Sequence, residues 1–434
     1  MGLGQGEVTT MRHGARKQAA SRSILFISPL DLWSMGKGKG GPALYKTLTG
    51  YANRGWKVYF ITGLQDEELL EDLHENITVI RFNDAPWLKR IIQRVKKVGF
   101  LARILWWLYF QIRAFIEAQK LHSKTKIDVV YGYEIFGIPV AKMLSKLWNV
   151  PMVARFQGTP LGVFWQKKRF GFLRAWEDVL ALRIPADLVI MTNDGTQGDR
   201  VLQQFGVDMR KVRFWLNGVD RELFTPPFKK DDAKAILGLG GGHILLCVSR
   251  LANWKRVDRS IRALPSILEE YPNTILVIVG DGPERGRLEQ LAVELGIRER
   301  VRFEGAVPHS EVSKYLAAAD VFLSLNDWSN VSNSLLEAMI AGKCIVTLNN
   351  GDTGKFIKNG ENGVLLEYED LARLPEVIKE LLANEELRSR LGTNARKFAE
   401  EHFWSWEERI EAEVQEVNAL LDRFSKTGHR GDAT

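Results

Sequence analysis

The residues of this chain whose types and spacing suit chemistry lie mostly in its second half. Ser249-Arg250-Leu251 is followed by Lys255, by the turn Gly280-Asp281-Gly282-Pro283, and by Leu336-Glu337-Ala338-Met339 with Gly342. Each group comes where an apolar run has just ended, so all of them would gather at the carboxyl edge of a parallel sheet, where open α/β folds bind ligands. A pair of cations, a glycine turn and a carboxylate borne on a helix suit a sugar nucleotide. In the first half, Gly36, Gly38, Gly40 and Gly41 precede Pro42 at a helix start. Unpaired N–H groups and the helix dipole favour an anion there, so this loop can approach a phosphate.

The elements that must position these residues alternate along the chain. Short apolar runs predict strands at 24–28, 56–62, 77–82, 128–131, 152–156, 188–192 and 212–216. The rhythm restarts with strands at 244–248, 274–279, 301–303, 321–325 and 344–348, and amphipathic helices such as 260–270 and 284–295 lie between them. Two rounds of strand, loop and helix imply an α/β protein with two Rossmann-like domains facing across a cleft. At 434 residues and 45% hydrophobic content, the chain has material for two cores. The expected organisation is a disordered tail at 1–22, a first domain at 23–225, a second at 241–402 and a closing helix at 403–424. Phe224-Thr225-Pro226-Pro227 and the charged run from Lys229 to Lys234 are read as the linker.

The formal charge of +7 is unevenly spread, since residues 87–126 hold ten Lys and Arg against the single acid Glu117. Read as a helix, Leu101, Ile104, Leu105, Leu108, Ile112, Phe115 and Ile116 form an apolar face expected to dock on the core. Arg103, Trp106, Phe110 and Arg113 would then face outward, a mixture that suits an anionic membrane surface. No recognisable nucleic-acid module accompanies this patch, so nucleic acid is not an expected partner. The first 23 residues lack the apolar core of a signal peptide, and no apolar run reaches the roughly 20 residues that span a bilayer. Cys247 and Cys344 stand far apart in apolar surroundings, which suggests neither a disulfide framework nor a zinc site. A cytoplasmic protein, peripheral at the inner face of the membrane, is the expectation.

Taken in order, the motifs already quoted, with Phe303-Glu304-Gly305, Ala319-Asp320-Val321-Phe322-Leu323 and Ile340-Ala341-Gly342, resemble something specific. They are similar to the donor domain of the GT-B retaining glycosyltransferases of family GT4. Gly40-Gly41 and Asn217-Gly218-Val219-Asp220 resemble that family's first half, so the likeness extends over residues 24–420. The resemblance implies transfer of a sugar from a UDP- or GDP-sugar with retention at the anomeric carbon. It implies Arg250 and Lys255 as ligands of the departing diphosphate, whose growing charge they would neutralise. Glu337 resembles the glutamate that bonds the nucleotide ribose, and Gly40, Gly41 and Gly282 would contact the donor. The basic, aromatic first half adds a lipid-linked or polysaccharide precursor as the expected acceptor.

The chain departs from that pattern in ways that bear on chemistry. The family carries a glutamate eight residues before the second one, and here that position is Ser329, followed by Asn330, Val331, Ser332 and Asn333. Backbone amides from Val331 to Ser334 are expected to cradle the diphosphate and donor sugar, with Asn330 or Asn333 bonding sugar hydroxyls. Where relatives carry a histidine, Arg155-Phe156-Gln157-Gly158 has Gln157, expected to face the cleft and the acceptor. An amide bonds a hydroxyl but is no base, which agrees with a retaining route in which a donor phosphate takes the acceptor proton. His309 falls where the family's base-binding loop would lie and is read as a surface histidine. No Asp-x-Asp pair occurs, so neither a metal nor another cofactor is expected, and cations with helix dipoles take that role. Readings from other classes are a non-catalytic nucleotide-sugar-binding subunit, which the missing acid allows, and a nucleotide-sugar epimerase.

Overall fold

The computed structural model describes residues 22–30, 43–63, 73–83, 85, 87, 99–166, 175–225 and 228–426. The tail at 1–21, the glycine loop with Gly40 and Gly41, and the basic run 88–98 lie outside the described residues. In the first sheet, β1 (Ser23–Ile27), β2 (Lys57–Gly63), β3 (Ile77–Phe82), β4 (Val129–Tyr133), β5 (Met152–Phe156), β6 (Leu188–Thr192) and β7 (Val212–Trp215) take the order β3-β2-β1-β4-β5-β6-β7. In the second, β8 (Ile244–Val248), β9 (Ile275–Val279), β10 (Val301–Gly305), β11 (Val321–Ser324), β12 (Cys344–Leu348) and β13 (Val364–Leu366) take the order β10-β9-β8-β11-β12-β13. The pairings are parallel, as for β1 with β4 and β8 with β11. Strands covered on both faces have no solvent side, which is why β1, β4, β5, β6 and β12 are buried end to end and read as unbroken apolar runs. Strand order reverses between β1 and β4, and between β8 and β11. The crevice outside the carboxyl ends of such a reversal is where open α/β sheets take their ligands.

The helices that set up the site are α1 (Ala43–Asn53), α2 (Gly99–His122), α3 (Glu134–Trp148), α4 (Lys230–Leu237), α5 (Asn333–Ile340) and α6 (Trp406–Lys426). The charged run expected as a linker is α4. Its Ala233 is fully buried in the core of the second domain, and Gly238 ends it in a left-handed conformation at φ 61°. Asp231 and Asp232 of that run face solvent, while Lys234 is buried and donates to the Gly242 carbonyl at 2.7 Å.

The orientation of α2 is the reverse of the one expected from its leucine face. Ala102, Phe110, Gln111, Ala114 and Ala118 are buried, whereas Leu101, Leu105, Leu108, Ile112 and Ile116 are 40% to 59% exposed. Alanines let α2 lie close to α3, while Trp106 packs 4.9 Å from the ring of Phe136. The Gln111 side chain donates to the Phe136 carbonyl at 2.9 Å and accepts from the Val140 N–H at 3.0 Å, bracing α3 beside its internal Pro139. Arg103 binds Glu177 at 2.7 Å. Among the described residues no helix is long and apolar enough to cross a membrane.

The last helix belongs to the core of the first sheet. Ile410, Val414, Val417 and Leu420 of α6 share a cluster with Ile24 and Phe26 of β1. At its centre Glu413 lies 3.2 Å from Arg155 and 3.0 Å from Arg409, with all three side chains fully buried. Tyr131 donates to the same carboxylate at 2.8 Å, and Arg155 donates to Thr47 at 2.7 Å and to Asn217 at 3.3 Å. The two chain crossings between domains run side by side: Val219 N–H donates to the Trp404 carbonyl at 3.0 Å, and a Cβ on Gly218 would stand 2.5 Å from Trp406. Removing one member of such a network strands the others in low dielectric. Glu413→Ala is therefore expected to cost about 3–5 kcal/mol in urea denaturation, and a loss below about 1 kcal/mol would contradict this account of α6.

Candidate active site

The second sheet's reversal is lined on one side by the loop after β8. Arg250 stands exposed in that loop, and Lys255, on the turn Asn253–Lys255, is 9% exposed. The glycine turn lies behind them. A Cβ on Gly280 would lie 1.9 Å from the Ser249 carbonyl oxygen, and one on Gly282 would lie 2.4 Å from that of Leu251. Leu251 N–H donates to the Asp281 carbonyl at 2.9 Å and Glu284 N–H to the Leu251 carbonyl at 3.0 Å. Gly282 thus serves here as a buttress of the Arg250 loop, packed against its backbone.

Lys255 is a cation without a salt bridge among the described residues. Its Nζ sits 4.1 Å from the ring centroid of Trp254, which stacks on Trp328 at 5.3 Å. Burial draws the Lys255 pKa down to about 8, against the opposing pull of Asp194. Lys255 shares a small cavity with Ser249, Ser260, Ser324, Asn326 and Ser334. Its neighbours Arg256 and Arg259 are already committed: Arg259 binds Asp327 at 2.7 Å and Arg256 binds Asp258 at 3.0 Å, fixing the strand end opposite.

Across the reversal, the loop after β11 leads into α5. Ser332 caps that helix by accepting from Leu335 N–H at 3.4 Å, and Asn333 and Ser334 keep first-turn N–H groups with no acceptor among the described residues. Two expected donor contacts are corrected here. Asn330 is fully buried, accepting from Asn326 N–H at 3.1 Å and donating to Asn350 at 2.9 Å, so it holds the loop's shape and meets no ligand. The Val331 amide is also taken, because it donates to the Asp194 carbonyl of the first domain at 3.1 Å. Asn333 accepts from Asn217 at 3.0 Å, a second bridge between domains, and Ser329 sits partly exposed in the left-handed region at φ 55°.

Glu337 lies in the second turn of α5 and is 5% exposed. Its Oε1 meets His309 Nε2 at 2.9 Å, His309 lies 3.8 Å from Asp220, and Asp220 binds Lys46 at 2.6 Å. Burial opposes charge on the His309 ring, yet Glu337 and Asp220 outweigh it and lift its pKa. The reading of His309 as a surface histidine is thereby corrected: it orients Glu337 and links it to the first domain. A lone histidine in a loop gives no sign of the carboxylate that folding will bring to it.

In the first domain, Gln157 is half-buried and anchored. It donates to Tyr133 and accepts from Thr192 at 3.2 Å and from Asn217 at 3.2 Å, while its own N–H donates to Glu134 at 3.0 Å. Two acids escaped the sequence reading. Glu134 follows β4 directly, holds φ 62°, and burial with the neighbouring charge of Asp178 pushes its carboxyl up to about 8. Asp194 follows β6 and faces both domains. Their signal was positional: each follows the carboxyl end of a strand beside the cleft, and β4 extends to Tyr133 rather than stopping at Tyr131.

Two family models match the chain: Glycosyl transferases group 1 over residues 229–398 and Glycosyltransferase Family 4 over residues 43–223. The GDP-mannose-dependent alpha-(1-6)-phosphatidylinositol monomannoside mannosyltransferase of Mycolicibacterium smegmatis is 30% identical over 200 residues, 44% of this chain and 52% of that protein. The chain thus spans about half the length of that relative. The UDP-Gal:alpha-D-GlcNAc-diphosphoundecaprenol alpha-1,3-galactosyltransferase of Escherichia coli is 27% identical over 322 residues, 71% of this chain and 80% of that protein. Among solved structures, the sucrose-phosphate synthase of Thermosynechococcus elongatus superposes with a TM-score of 0.75 over 93% of this chain and 100% of that one, at 22% identity. That likeness establishes the GT-B architecture of two Rossmann-like domains.

A diphosphate at Lys255 favours the ammonium, so binding takes up a proton wherever the free site has lost it. The free lysine is charged below about 8 and neutral above. Affinity for a nucleoside diphosphate is expected to fall about tenfold per pH unit between roughly pH 8 and 10, and Lys255→Arg to flatten the dependence in calorimetric titration. A wild-type affinity that ignores pH over this interval would contradict the assignment.

Proposed function

This chain belongs to the group 1 glycosyl transferases, and we propose that it is a metal-independent hexosyltransferase that moves a sugar from a UDP- or GDP-sugar to an acceptor hydroxyl with retention. The observation that carries the reading is the pairing of Arg250 and the buried Lys255 with the open amides of α5 at one strand-order reversal. When the bond between the anomeric carbon and the donor phosphate breaks, negative charge collects on the departing diphosphate. Preorganised cations in a partly dehydrated cleft stabilise that charge far more than they would in water. The acceptor oxygen bonds to the same face of the anomeric carbon, and its proton passes to the departing phosphate oxygen. Gln157 is an amide and takes no proton, so it orients the acceptor side. Glu337 keeps Oε2 for a ribose hydroxyl while His309 holds Oε1.

The acceptor in this reading is a lipid-linked or polysaccharide precursor, met at the cytoplasmic face of an anionic membrane. Support comes from the names of the two relatives, one acting on a phosphatidylinositol monomannoside and the other on a diphosphoundecaprenol. It comes also from α2, whose exposed Leu101, Leu105, Leu108, Ile112 and Ile116 form a stripe within the basic segment 87–126. A second reading, a donor-binding subunit without turnover, is favoured only by Ser329 in place of the first glutamate.

Arg250→Ala and Lys255→Ala are each expected to lower kcat/KM by about 100- to 1000-fold, assayed with EDTA present throughout. Wild-type protein that binds a nucleotide sugar yet neither transfers nor hydrolyses it would favour the subunit reading, and turnover only with added manganese or magnesium would remove metal independence. Separately, the protein is expected to float with anionic liposomes at low salt and Leu105→Glu with Ile112→Glu to lose most of that association. Absence of wild-type flotation would reject the membrane-facing role of α2.

A further inference from the structure

Asp194 is a cleft carboxylate that the transfer chemistry above leaves unused. Asp194 is half-buried in the loop after β6, and that loop touches the second domain. Its carbonyl accepts from Val331 N–H at 3.1 Å, the next carbonyl, of Gly195, accepts from Asp352 N–H at 3.0 Å, and a Cβ on Gly195 would lie 3.0 Å from the Val331 side chain. The side chain is held as firmly as the backbone. One oxygen accepts from Thr196 Oγ1 at 2.6 Å and from Thr196 N–H at 3.1 Å.

The surroundings of that carboxylate define what it can meet. A Cβ on Gly158 would lie 2.4 Å from it, so Gly158, next to Gln157, is the residue that makes room for it on the acceptor side. Burial raises its pKa, against hydrogen bonds from Thr196 and, on the donor side, from Ser329, and against the charge of Lys255. Asp194 therefore has Gly158, next to Gln157, on one side and Ser329 and Lys255 on the other. Ser329 is small and turned into a left-handed conformation at φ 55°. A longer acid at 329 would place a second negative charge against Asp194, at a cost from like-charge repulsion.

Resting on the transfer reading, we propose that Asp194 supplies the carboxylate that accepts hydrogen bonds from hydroxyls of the transferred sugar. The group comes from the opposite domain to the one that holds the nucleotide. Ser329 is the complementary change that leaves space for it. Recognition of the sugar then depends on the domains being closed, because the carboxylate and the cations sit on different sheets.

Binding tests this without requiring turnover. The probes are UDP-glucose with UDP and GDP-mannose with GDP, measured by calorimetry on the full chain, and the quantity is the ratio of affinities between nucleotide sugar and bare nucleoside diphosphate. Asp194→Asn keeps the shape and the Thr196 contacts but removes the charge. It is expected to reduce that ratio by about 10-fold or more while bare nucleoside diphosphate binding changes less than about 3-fold, since a hydrogen bond to a charged acceptor is stronger than one to a neutral amide. Asp194→Ala combined with Ser329→Glu is expected to recover part of the ratio, a rescue that a merely structural Asp194 would not permit. An unchanged ratio in Asp194→Asn overturns the proposal, as does an equal loss for sugar-bearing and bare nucleotides. A wild-type protein that binds the nucleotide sugar but transfers nothing overturns the transferase reading instead and leaves this comparison readable.

Discussion

A buried ammonium without a carboxylate in contact is the constraint around which this cleft is organised. Removing Lys255 from water costs free energy that its environment returns only in part, through the Trp254 ring 4.1 Å away and through the field of Asp194. Around it, the Gly280–Gly282 turn packs against the Arg250 loop, and the Arg259 to Asp327 pair pins the loop after β11. Arg250, by contrast, is exposed.

The second requirement is that two separately folded sheets present their carboxyl edges to one another. Three kinds of contact arrange this. The crossings at Val219 and Trp404 run as neighbours, α6 ties the end of the chain to the first core through Glu413, and the loops after β6 and β11 meet at Asp194 and Val331. The buried ionic network around Glu413 is costly to desolvate, and its several hydrogen bonds fix one orientation of α6. The cleft contacts among the described residues include the Val331 and Asp352 amides on the loop after β6 and the Asn217 to Asn333 bond.

Much of this was legible in the residues. Strands 77–82, 152–156, 188–192, 244–248 and 344–348 have their expected limits; for 188–192, 244–248 and 344–348 the reason is that parallel strands covered on both faces are nearly continuous apolar runs with sharp polar ends. β13 escaped because Val364–Leu366 is only three residues long at a sheet edge. The inverted seating of α2 has a different cause. That helix is apolar on two faces, and periodicity ranks the leucine stripe above an alanine stripe, although close packing against α3 selects the small residues. At the site, Arg250, Lys255, Glu337 and Asn330 were named from the sequence, whereas the contacts that Asn330, His309, Glu134 and Asp194 make were not legible there. Their roles arise from contacts across 20 residues or more, such as Val331 with Asp194 or His309 with Glu337.

The central claim is that the carboxyl-terminal lobe receives a diphosphate between Arg250, Lys255 and the start of α5, with a pentose at Glu337. A crystal structure with UDP or GDP bound tests it most directly. The account predicts phosphate oxygens within hydrogen-bonding distance of both cations and a ribose hydroxyl on Glu337. Nucleotide density elsewhere, or phosphates out of reach of Lys255, would contradict it.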